Sequence, residues 1–196
     1  TFISIESRPP PMRVAIDTNG LYTTRAGVAR YLRGLLSGMR PLAPANFTDL
    51  LELAWEVENF EFQQPRRAWR TFYREMIWSR VDAPRALRRH RTALFHSTAT
   101  RLLVPPRGDR HVVTLHDLAV LRFTERFRPW HRRSALAGLR RTSCADRVIC
   151  ISRHTADEAI QLLHLDPRRL DVVHNGCDFH PDSQPEEAEP ALRPAG

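Results

Sequence analysis

Two patterns of apolar and polar positions alternate along the chain. Short apolar runs, rich in β-branched residues, are typical of strands buried on both faces of a parallel sheet. Longer segments carry apolar residues every three or four positions, which predicts helices with one buried face. Strands are predicted at 13–17, 50–57, 93–97, 112–115, 147–151 and 170–174. The main helices are predicted at 27–39, at 65–91 with a break at Pro84, at 130–142, and from after Ser152 to about residue 164.

The alternation of strands and helices predicts the fold class. Strands that alternate with helical patterns form βαβ units, so we expect an α/β fold: a doubly wound parallel sheet with helices on both faces, Rossmann-like. Residues 1–11 precede Met12 and are expected to be an upstream tail outside the fold, 12–179 to form the domain, and the acidic, Pro-rich residues 180–196 to be a linker or disordered tail. No apolar run approaches the ~18 residues of a membrane span.

The helix that follows the first strand opens with a glycine. Gly27 begins a stripe of apolar residues at 28, 31, 32, 35, 36 and 39, while Gly34 and Gly38 within it are expected to be packing glycines. The free N–H groups of a helix N-terminus can meet a phosphate or a sugar hydroxyl, and a missing side chain allows close approach. A full Gly-x-Gly-x-x-Gly fingerprint is absent, which disfavours a dinucleotide site. In the last predicted helix, Ser152 and Thr155 can act as caps, and residues 155–158 fit a capping box.

The central strand ends on His116 and Asp117, directly after the apolar run at 112–115. Ligands of open α/β sheets bind outside the carboxyl ends of the strands, so this imidazole and carboxylate are candidates for chemistry. The alternative is that His116 caps the strand end and Asp117 caps the next turn. His96 and Ser97 stand at the end of the preceding strand, 93–97, as His116 does on this one.

Composition narrows the function classes. Cys144, Cys150 and Cys177 are odd in number and lack Cys-x-x-Cys spacing, which argues against a disulfide framework and a zinc site; we expect all three to be buried apolar residues. The chain has a net charge of +8, and all its 30 Lys-or-Arg positions are Arg. Residues 61–141 hold 19 Arg and six acidic residues, a basic excess that suggests anionic partners.

The segment 65–91 combines arginines with large apolar residues. Trp69, Phe72, Tyr73, Met76 and Ile77 follow helical spacing, with arginines 66, 67, 70 and 74 around them. The favoured interpretation is a helix whose apolar face packs on the core. The alternative is a basic amphipathic face that docks on an anionic membrane, with Trp69, Arg70 and Arg74 as membrane-facing candidates.

Four stretches, taken in order, resemble the N-terminal domain of family 4 glycosyltransferases, the retaining, nucleotide-sugar-dependent enzymes of GT-B fold. They are the glycine loop into 26–31; Phe95-His-Ser97 with Val104-Pro105; Val113-Thr-Leu-His-Asp117; and 145–152 with Thr155, followed by 169–178. The resemblance is greatest to bacterial mannosyltransferase-like members. Ala26 replaces a glycine found in many members, and Cys177 replaces their usual Val.

The resemblance implies roles for individual residues. His116 and Asp117 would be the catalytic pair, with His116 beside the transferred sugar. The Gly27 helix N-terminus would lie near the donor phosphate and the acceptor. The implied substrate-binding residues are Ala26, Gly27, His96, Ser97, Asn175 and Gly176.

The resemblance also implies an activity for the whole enzyme. It would transfer a hexose, with mannose from GDP-mannose as the first candidate, to a glycan or lipid-linked acceptor in polysaccharide biosynthesis, without a metal ion. The family's C-terminal donor-binding domain is not in this sequence, so the fragment would be inactive alone. Its expected location is cytoplasmic, with peripheral contact at an anionic membrane, and no nucleic acid partner is expected.

Two other function classes stay open at this stage. One is an Arg-rich, Rossmann-like module that binds anionic lipid or nucleic acid by charge. The other is a structural scaffold completed by a partner chain. Tight, salt-dependent binding of random duplex DNA would favour the first of these, because charge-driven binding weakens steeply with salt.

Overall fold

Six parallel strands form a single sheet in the computed structural model, which describes residues 12–42, 49–60, 65–100, 110–127 and 129–176. The strands are β1 (Arg13–Asp17), β2 (Asp49–Leu53), β3 (Leu94–Ser97), β4 (Arg110–Leu115), β5 (Arg147–Cys150) and β6 (Leu170–Val172). Their order across the sheet is β2-β1-β3-β4-β5-β6, and every neighbouring pair is parallel. The predicted doubly wound α/β class is therefore confirmed.

Helical segments connect the strands. They are α1 (Gly20–Thr23), α2 (Gly27–Met39), α3 (Pro65–Phe72), a π-helical stretch (Tyr73–Asp82), α4 (Ala83–His90), α5 (Ala119–Arg122), α6 (Pro129–Thr142) and α7 (Arg153–Leu163). Short 3₁₀ turns cover Arg40–Leu42, Thr124–Arg126 and Pro167–Arg169. No helix in these ranges is long and apolar enough to cross a membrane.

Successive residues of β1 point to opposite faces of the sheet, and each face is covered. Val14 and Ile16 pack in a cluster with Leu32 and Leu36 of α2. Ala15, on the other face, joins a second cluster with Trp78, Leu87 and Phe95, from the helical segment 65–90 and β3. A third cluster, built on Val113, Leu115, Val148 and Cys150, packs against α6 and α7. A run such as Val14-Ala-Ile16 is continuously apolar because it is buried from both sides.

Several predicted boundaries differ from the structure. The loop predicted at 18–26 contains α1, and β2 ends at Leu53 rather than at residue 57. The segment 65–90 stays helical through Pro84, which lies in the first turn of α4, so no break occurs there. The predicted cap at Ser152 is confirmed: α7 begins at Arg153, and the Ser152 Oγ accepts a hydrogen bond from the Thr155 N–H at 3.1 Å. Thr155 therefore lies inside the helix, and the predicted capping box at 155–158 is wrong.

The glycine predictions also need correction. A Cβ atom at Gly34 or Gly38 would have no neighbouring atom within 4 Å, so neither is a packing glycine. The close contact is at Gly20, where a Cβ would lie 2.6 Å from Leu32 Cδ1 and 3.0 Å from Val28 Cγ1. Gly20 therefore allows α1 to rest directly on α2.

Of the cysteines, Cys150 is buried, as predicted, but Cys144 is exposed. Cys177 and the predicted termini at 1–11 and 180–196 lie outside the described residues, as does Val104-Pro105.

Candidate functional site

The order of the strands reverses once, and this reversal point marks the expected ligand site at the carboxyl end of the sheet. From β1 the chain passes to β2 on one side, and β3 then lies on the other side of β1. Ligands of doubly wound sheets bind at this reversal point, outside the carboxyl ends of the two strands whose following connections run in opposite directions. Here the reversal lies between β1 and β3, and the Thr98 hydroxyl spans it by donating a hydrogen bond to the Asp17 carbonyl at 2.7 Å.

His116 follows β4 at this edge and is half-buried. Its Nε2 lies 3.0 Å from the Thr98 carbonyl oxygen. Because a carbonyl can only accept, Nε2 carries the proton, and in the neutral ring Nδ1 is left as an acceptor. Burial lowers the pKa of His116 below its usual 6.5, although the Thr98 carbonyl and the Asp117 charge act to raise it. The imidazole is therefore neutral at pH 7.

Tyr31 joins the start of α2 to His116. Its ring meets the imidazole edge to face, with centroids 4.9 Å apart and planes at 85°. Tyr31 lies one turn after Gly27, so this contact brings the N-terminal end of α2 to the end of β4. Two stretches far apart in sequence, 26–31 and 113–117, are thus brought together at one edge of the sheet.

A buried hydrogen-bond network supports that contact. The Tyr31 hydroxyl shares a hydrogen bond with Thr114 Oγ1 at 3.0 Å, and the same oxygen lies 2.8 Å from His96 Nε2. Thr114 is fully buried, and His96 is 6% exposed. Burial lowers the pKa of His96 to about 4, helped by the neighbouring His111 and His116. His96 is therefore a neutral internal member of the network.

His96 and Ser97 are the last two residues of β3, at the strand end as predicted, but their side chains lie inside the domain rather than at its surface. Ser97 Oγ lies 2.9 Å from His111 Nε2, whose ring stacks on Phe95 with a centroid distance of 5.7 Å. Neither of these two candidate substrate-binding side chains is open to a ligand. Directly after β3, the carbonyl of the buried Thr98 instead accepts the hydrogen bond that holds His116.

Gly27 and Ala26 lie at the exposed start of α2. Ala26 is the N-cap of this helix and gives it no side-chain cap. A Cβ at Gly27 would meet nothing within 4 Å, so the glycine faces open space. The uncapped N–H groups of the first turn can therefore donate hydrogen bonds to an anion or a sugar hydroxyl from outside.

Asp117 is exposed, and its Oδ1 accepts a hydrogen bond from the Ala119 N–H at 3.0 Å. This is the turn-capping role weighed for it as an alternative, and it leaves the second carboxylate oxygen available. The backbone oxygen of His116 also contacts the Thr155 hydroxyl of α7, at 3.5 Å. Asn175 and Gly176 follow β6 and are exposed.

The sequence interpretation missed a polar group at the end of β1. The buried Asp17 carboxylate accepts hydrogen bonds from the Asn19 backbone at 3.0 Å and from Asn19 Nδ2 at 2.8 Å. Burial raises the pKa of Asp17 to about 6, against the lowering effect of these bonds and of Arg74. The signal was present, since Asp17 ends an apolar strand just as His116 and Asp117 do.

The segment 65–90 corrects a further prediction. Trp69 is 62% exposed, Phe72 48% and Met76 45%, so the interpretation of a core-facing apolar stripe is wrong for these three residues. Arg74 is only 2% exposed and donates hydrogen bonds to the Trp55 and Val57 carbonyls, so it cannot face a membrane. Arg70 is half-buried and donates to the Glu58 carbonyl at 3.0 Å.

The π-helical geometry of residues 73–82 explains why Arg74 is buried and Met76 is exposed. In this stretch, backbone N–H groups reach back five residues rather than four, as the Ala83 N–H does to the Trp78 carbonyl. Each turn therefore holds more residues than the 3.6 that the sequence pattern assumes.

Within the described residues, no group of three or more His, Cys, Asp or Glu side chains is arranged to hold a metal ion.

Comparison with known proteins gives a family match. The sequence model of Glycosyltransferase Family 4 matches residues 26–180. A search among curated proteins found no match.

Solved structures give remote matches. Anabaena Alr3699/HepE in complex with UDP and glucose is 16% identical, with a TM-score of 0.47 over 86% of this chain and 45% of that one. HepE in complex with UDP is 15% identical, with a TM-score of 0.46 over 85% and 44%. A glycosyltransferase from Rickettsia africae ESF-5 is 10% identical, with a TM-score of 0.38 over 85% and 44%. The chain thus spans less than half the length of these proteins.

Proposed function

Because the chain belongs to glycosyltransferase family 4, we propose that it is the acceptor-side half of a retaining enzyme that transfers a hexose from a nucleoside diphosphate sugar. The acceptor would be a hydroxyl of a glycan or lipid-linked sugar, and GDP-mannose is the first donor to test. The family match and the contacts that bring His116 and the start of α2 together at one edge of the sheet support this proposal. The site would be completed by a C-terminal donor-binding domain.

The observation that carries the proposal is the fixed orientation of His116. The Thr98 carbonyl and the Tyr31 ring hold the imidazole as a neutral Nε2–H tautomer. Its Nδ1 can then accept a hydrogen bond from a hydroxyl of the transferred sugar or of the acceptor. We assign His116 a binding and orienting role rather than that of a general base.

The first turn of α2 supplies the complementary group. Negative charge builds on the leaving diphosphate during transfer, and uncapped N–H groups at a helix N-terminus stabilise such charge. The open surface at Gly27 allows a phosphate or an acceptor hydroxyl to approach the backbone closely. Asp117, Asn175 and Gly176 lie exposed after β4 and β6, where they would contact the substrates or the donor domain.

The test is a transfer assay with labelled GDP-mannose and UDP-glucose. The chain is assayed alone and with a C-terminal donor domain supplied in trans, each with and without EDTA. We expect EDTA-resistant transfer from the mixture only, and a loss of about 100-fold in His116→Ala, within the range typical for one positioned polar group in an active site. His90→Ala is the matched control, because His90 is exposed at the end of α4.

The pH dependence provides a second readout. Nδ1 accepts a hydrogen bond only in the neutral ring, and burial lowers the pKa of His116. Transfer should therefore persist below pH 6.5 and fall only as His116 becomes protonated. Activity of the chain alone, or full activity of His116→Ala in the mixture, would refute the proposed division of the site.

The family assignment also suggests where the protein acts. Lipid-linked acceptors are held at membranes, and we propose a cytoplasmic enzyme that associates peripherally with the inner face of an anionic membrane. The basic excess of the chain, +8 overall, supports such an association.

A further inference from the structure

Three large apolar side chains on one helical segment are exposed to solvent. Trp69, Phe72 and Met76, here named the apolar ridge, are 62%, 48% and 45% exposed. The rings of Trp69 and Phe72 stack on each other, with centroids 5.8 Å apart. Two of the largest apolar side chains in the segment are therefore held side by side at the surface, instead of being used in the core.

The rest of the segment is firmly attached to the domain. Trp78 is buried in the core cluster under β1 and β3, and Tyr73 packs on Trp55 at a centroid distance of 4.9 Å. Arg74 lies beneath the helix, over the Trp55 ring at 4.9 Å. The inner face of this helical segment is therefore already packed against the domain, so the side chains of the apolar ridge stay on its outer face.

The surroundings of the apolar ridge are basic. Residues 65–90 hold eight arginines against two acidic residues, Glu75 and Asp82. Arg66 and Arg80 are exposed on either side of the ridge, and Arg80 Nη1 lies 2.7 Å from Met76 Sδ. Arg85, Arg88 and Arg89 extend the exposed basic surface along α4.

We infer that the apolar ridge and its flanking arginines form a docking surface for an anionic lipid bilayer. An interfacial helix places Trp, Phe or Leu at the boundary between headgroups and acyl chains, with basic residues beside them to attract anionic lipid. Trp is enriched at this boundary because its ring is large and apolar but carries an N–H. Both halves of that requirement, exposed aromatic residues and a net positive charge, are present on the same helical segment.

Charge alone would equally attract nucleic acid, but the apolar ridge distinguishes the two partners. Phosphate contacts need the arginines and leave Phe72 and Met76 exposed to water, whereas a bilayer buries them. Binding to lipid should therefore depend on the aromatic residues and survive moderate salt. Binding to nucleic acid would fall steeply with salt. This inference deepens the proposed membrane association but does not depend on glycosyl transfer.

The test is vesicle flotation without any sugar donor. The chain is mixed with vesicles of phosphatidylcholine and phosphatidylglycerol, or of phosphatidylcholine alone, and the bound fraction is measured at several salt concentrations. We expect binding to the anionic vesicles only. The Trp69→Ala/Phe72→Ala variant should weaken it by about tenfold or more, as expected from the loss of two buried aromatic groups. Trp69→Phe should retain most of the binding.

The matched control is Phe123→Ala. Phe123 is 45% exposed and has the Arg126 guanidinium 4.9 Å from its ring centroid, but it lies after α5, outside the segment 65–90. Its replacement should leave vesicle binding unchanged. Arg80→Gln should weaken binding to anionic vesicles without creating binding to neutral ones.

Several outcomes would overturn the inference. They are failure to float with anionic vesicles, equal binding to neutral vesicles, and wild-type binding by the Trp69→Ala/Phe72→Ala variant in a folded state confirmed by circular dichroism. Tighter, steeply salt-dependent binding to duplex DNA that ignores the aromatic replacements would identify a nucleic-acid surface. Loss of self-association in the same variant, without any vesicle binding, would identify an interface between copies of the chain. Glycosyl transfer to a water-soluble acceptor is measured in a separate assay that needs no membrane. A failure of vesicle binding can therefore be distinguished from a failure of the proposed enzyme activity.

Discussion

Thr114 is the residue whose replacement tests the hydrogen-bond network under the site most directly. Valine has nearly the shape of threonine, so Thr114→Val removes the hydroxyl and little else. That hydroxyl bonds to Tyr31 at 3.0 Å and to His96 at 2.8 Å, and it is fully buried. The half-buried Tyr31 can turn to water for a new partner, but His96 Nε2 cannot.

The cost follows from that difference. A buried polar group left without a partner costs about 1–3 kcal/mol. We therefore expect Thr114→Val to lower the free energy of unfolding by about 2 kcal/mol, or Tm by about 4–8 °C in a chain of this size. Tyr31→Phe should cost about 1 kcal/mol, because Thr114 keeps its bond to His96.

The assay is urea unfolding followed by far-UV circular dichroism, with the Tyr31→Phe/Thr114→Val double variant closing the cycle. Thr142→Val is the control: Thr142 is also fully buried, but its hydroxyl meets only the Gly138 carbonyl, at 3.4 Å, so its loss isolates no side chain. A Thr114→Val cost no larger than that of Thr142→Val would refute the network, and so would strict additivity in the cycle.

Three further predictions test single groups. Asp17 has a folded pKa of about 6 against 3.8 unfolded, so the native state binds the extra proton, and the free energy of unfolding should fall by up to about 3 kcal/mol as the pH rises from about 4 to 6. In urea unfolding at several pH values, the stability of Asp17→Asn should depend less on pH than that of the wild type. The same pH dependence in both proteins would contradict this. Ser152→Ala should lose about 1 kcal/mol of stability by removing the N-cap of α7, whereas Ser152→Asp, which can still accept from the Thr155 N–H, should not. Arg122→Leu should lower the free energy of unfolding by about 1 kcal/mol, because it leaves the mostly buried Glu158 carboxylate without the Arg122 Nε at 2.6 Å. The Arg122→Leu/Glu158→Gln double variant should recover most of that loss. An equal loss in the single and the double variant would count against the ion pair.

The regular part of the fold could be predicted from sequence because strands buried on both faces of the sheet must be continuously apolar, and such runs are visible in the local sequence. The run at 13–17 and the one-faced stripe at 27–39 matched β1 and α2 to the residue. Chain order and the position of His116 after β4 then indicated which edge of the sheet would carry the site. The family resemblance, drawn from four separated stretches, is confirmed by the match over residues 26–180.

The faces of the segment 65–90 and the interior of the site could not be read in the same way. A periodicity of 3.6 assumes hydrogen bonds over four residues, so the π-helical stretch 73–82 buried Arg74 and left Met76 exposed. His96 and His116 look equivalent in sequence, since each lies at the carboxyl end of an apolar run. The register of β3 and β4 and the position of Tyr31 on α2 make His96 an internal group and leave His116 half-buried at the edge of the sheet. Sequence determined which residues reach the edge of the sheet, while packing between distant segments decided which of their side chains are buried and which are exposed.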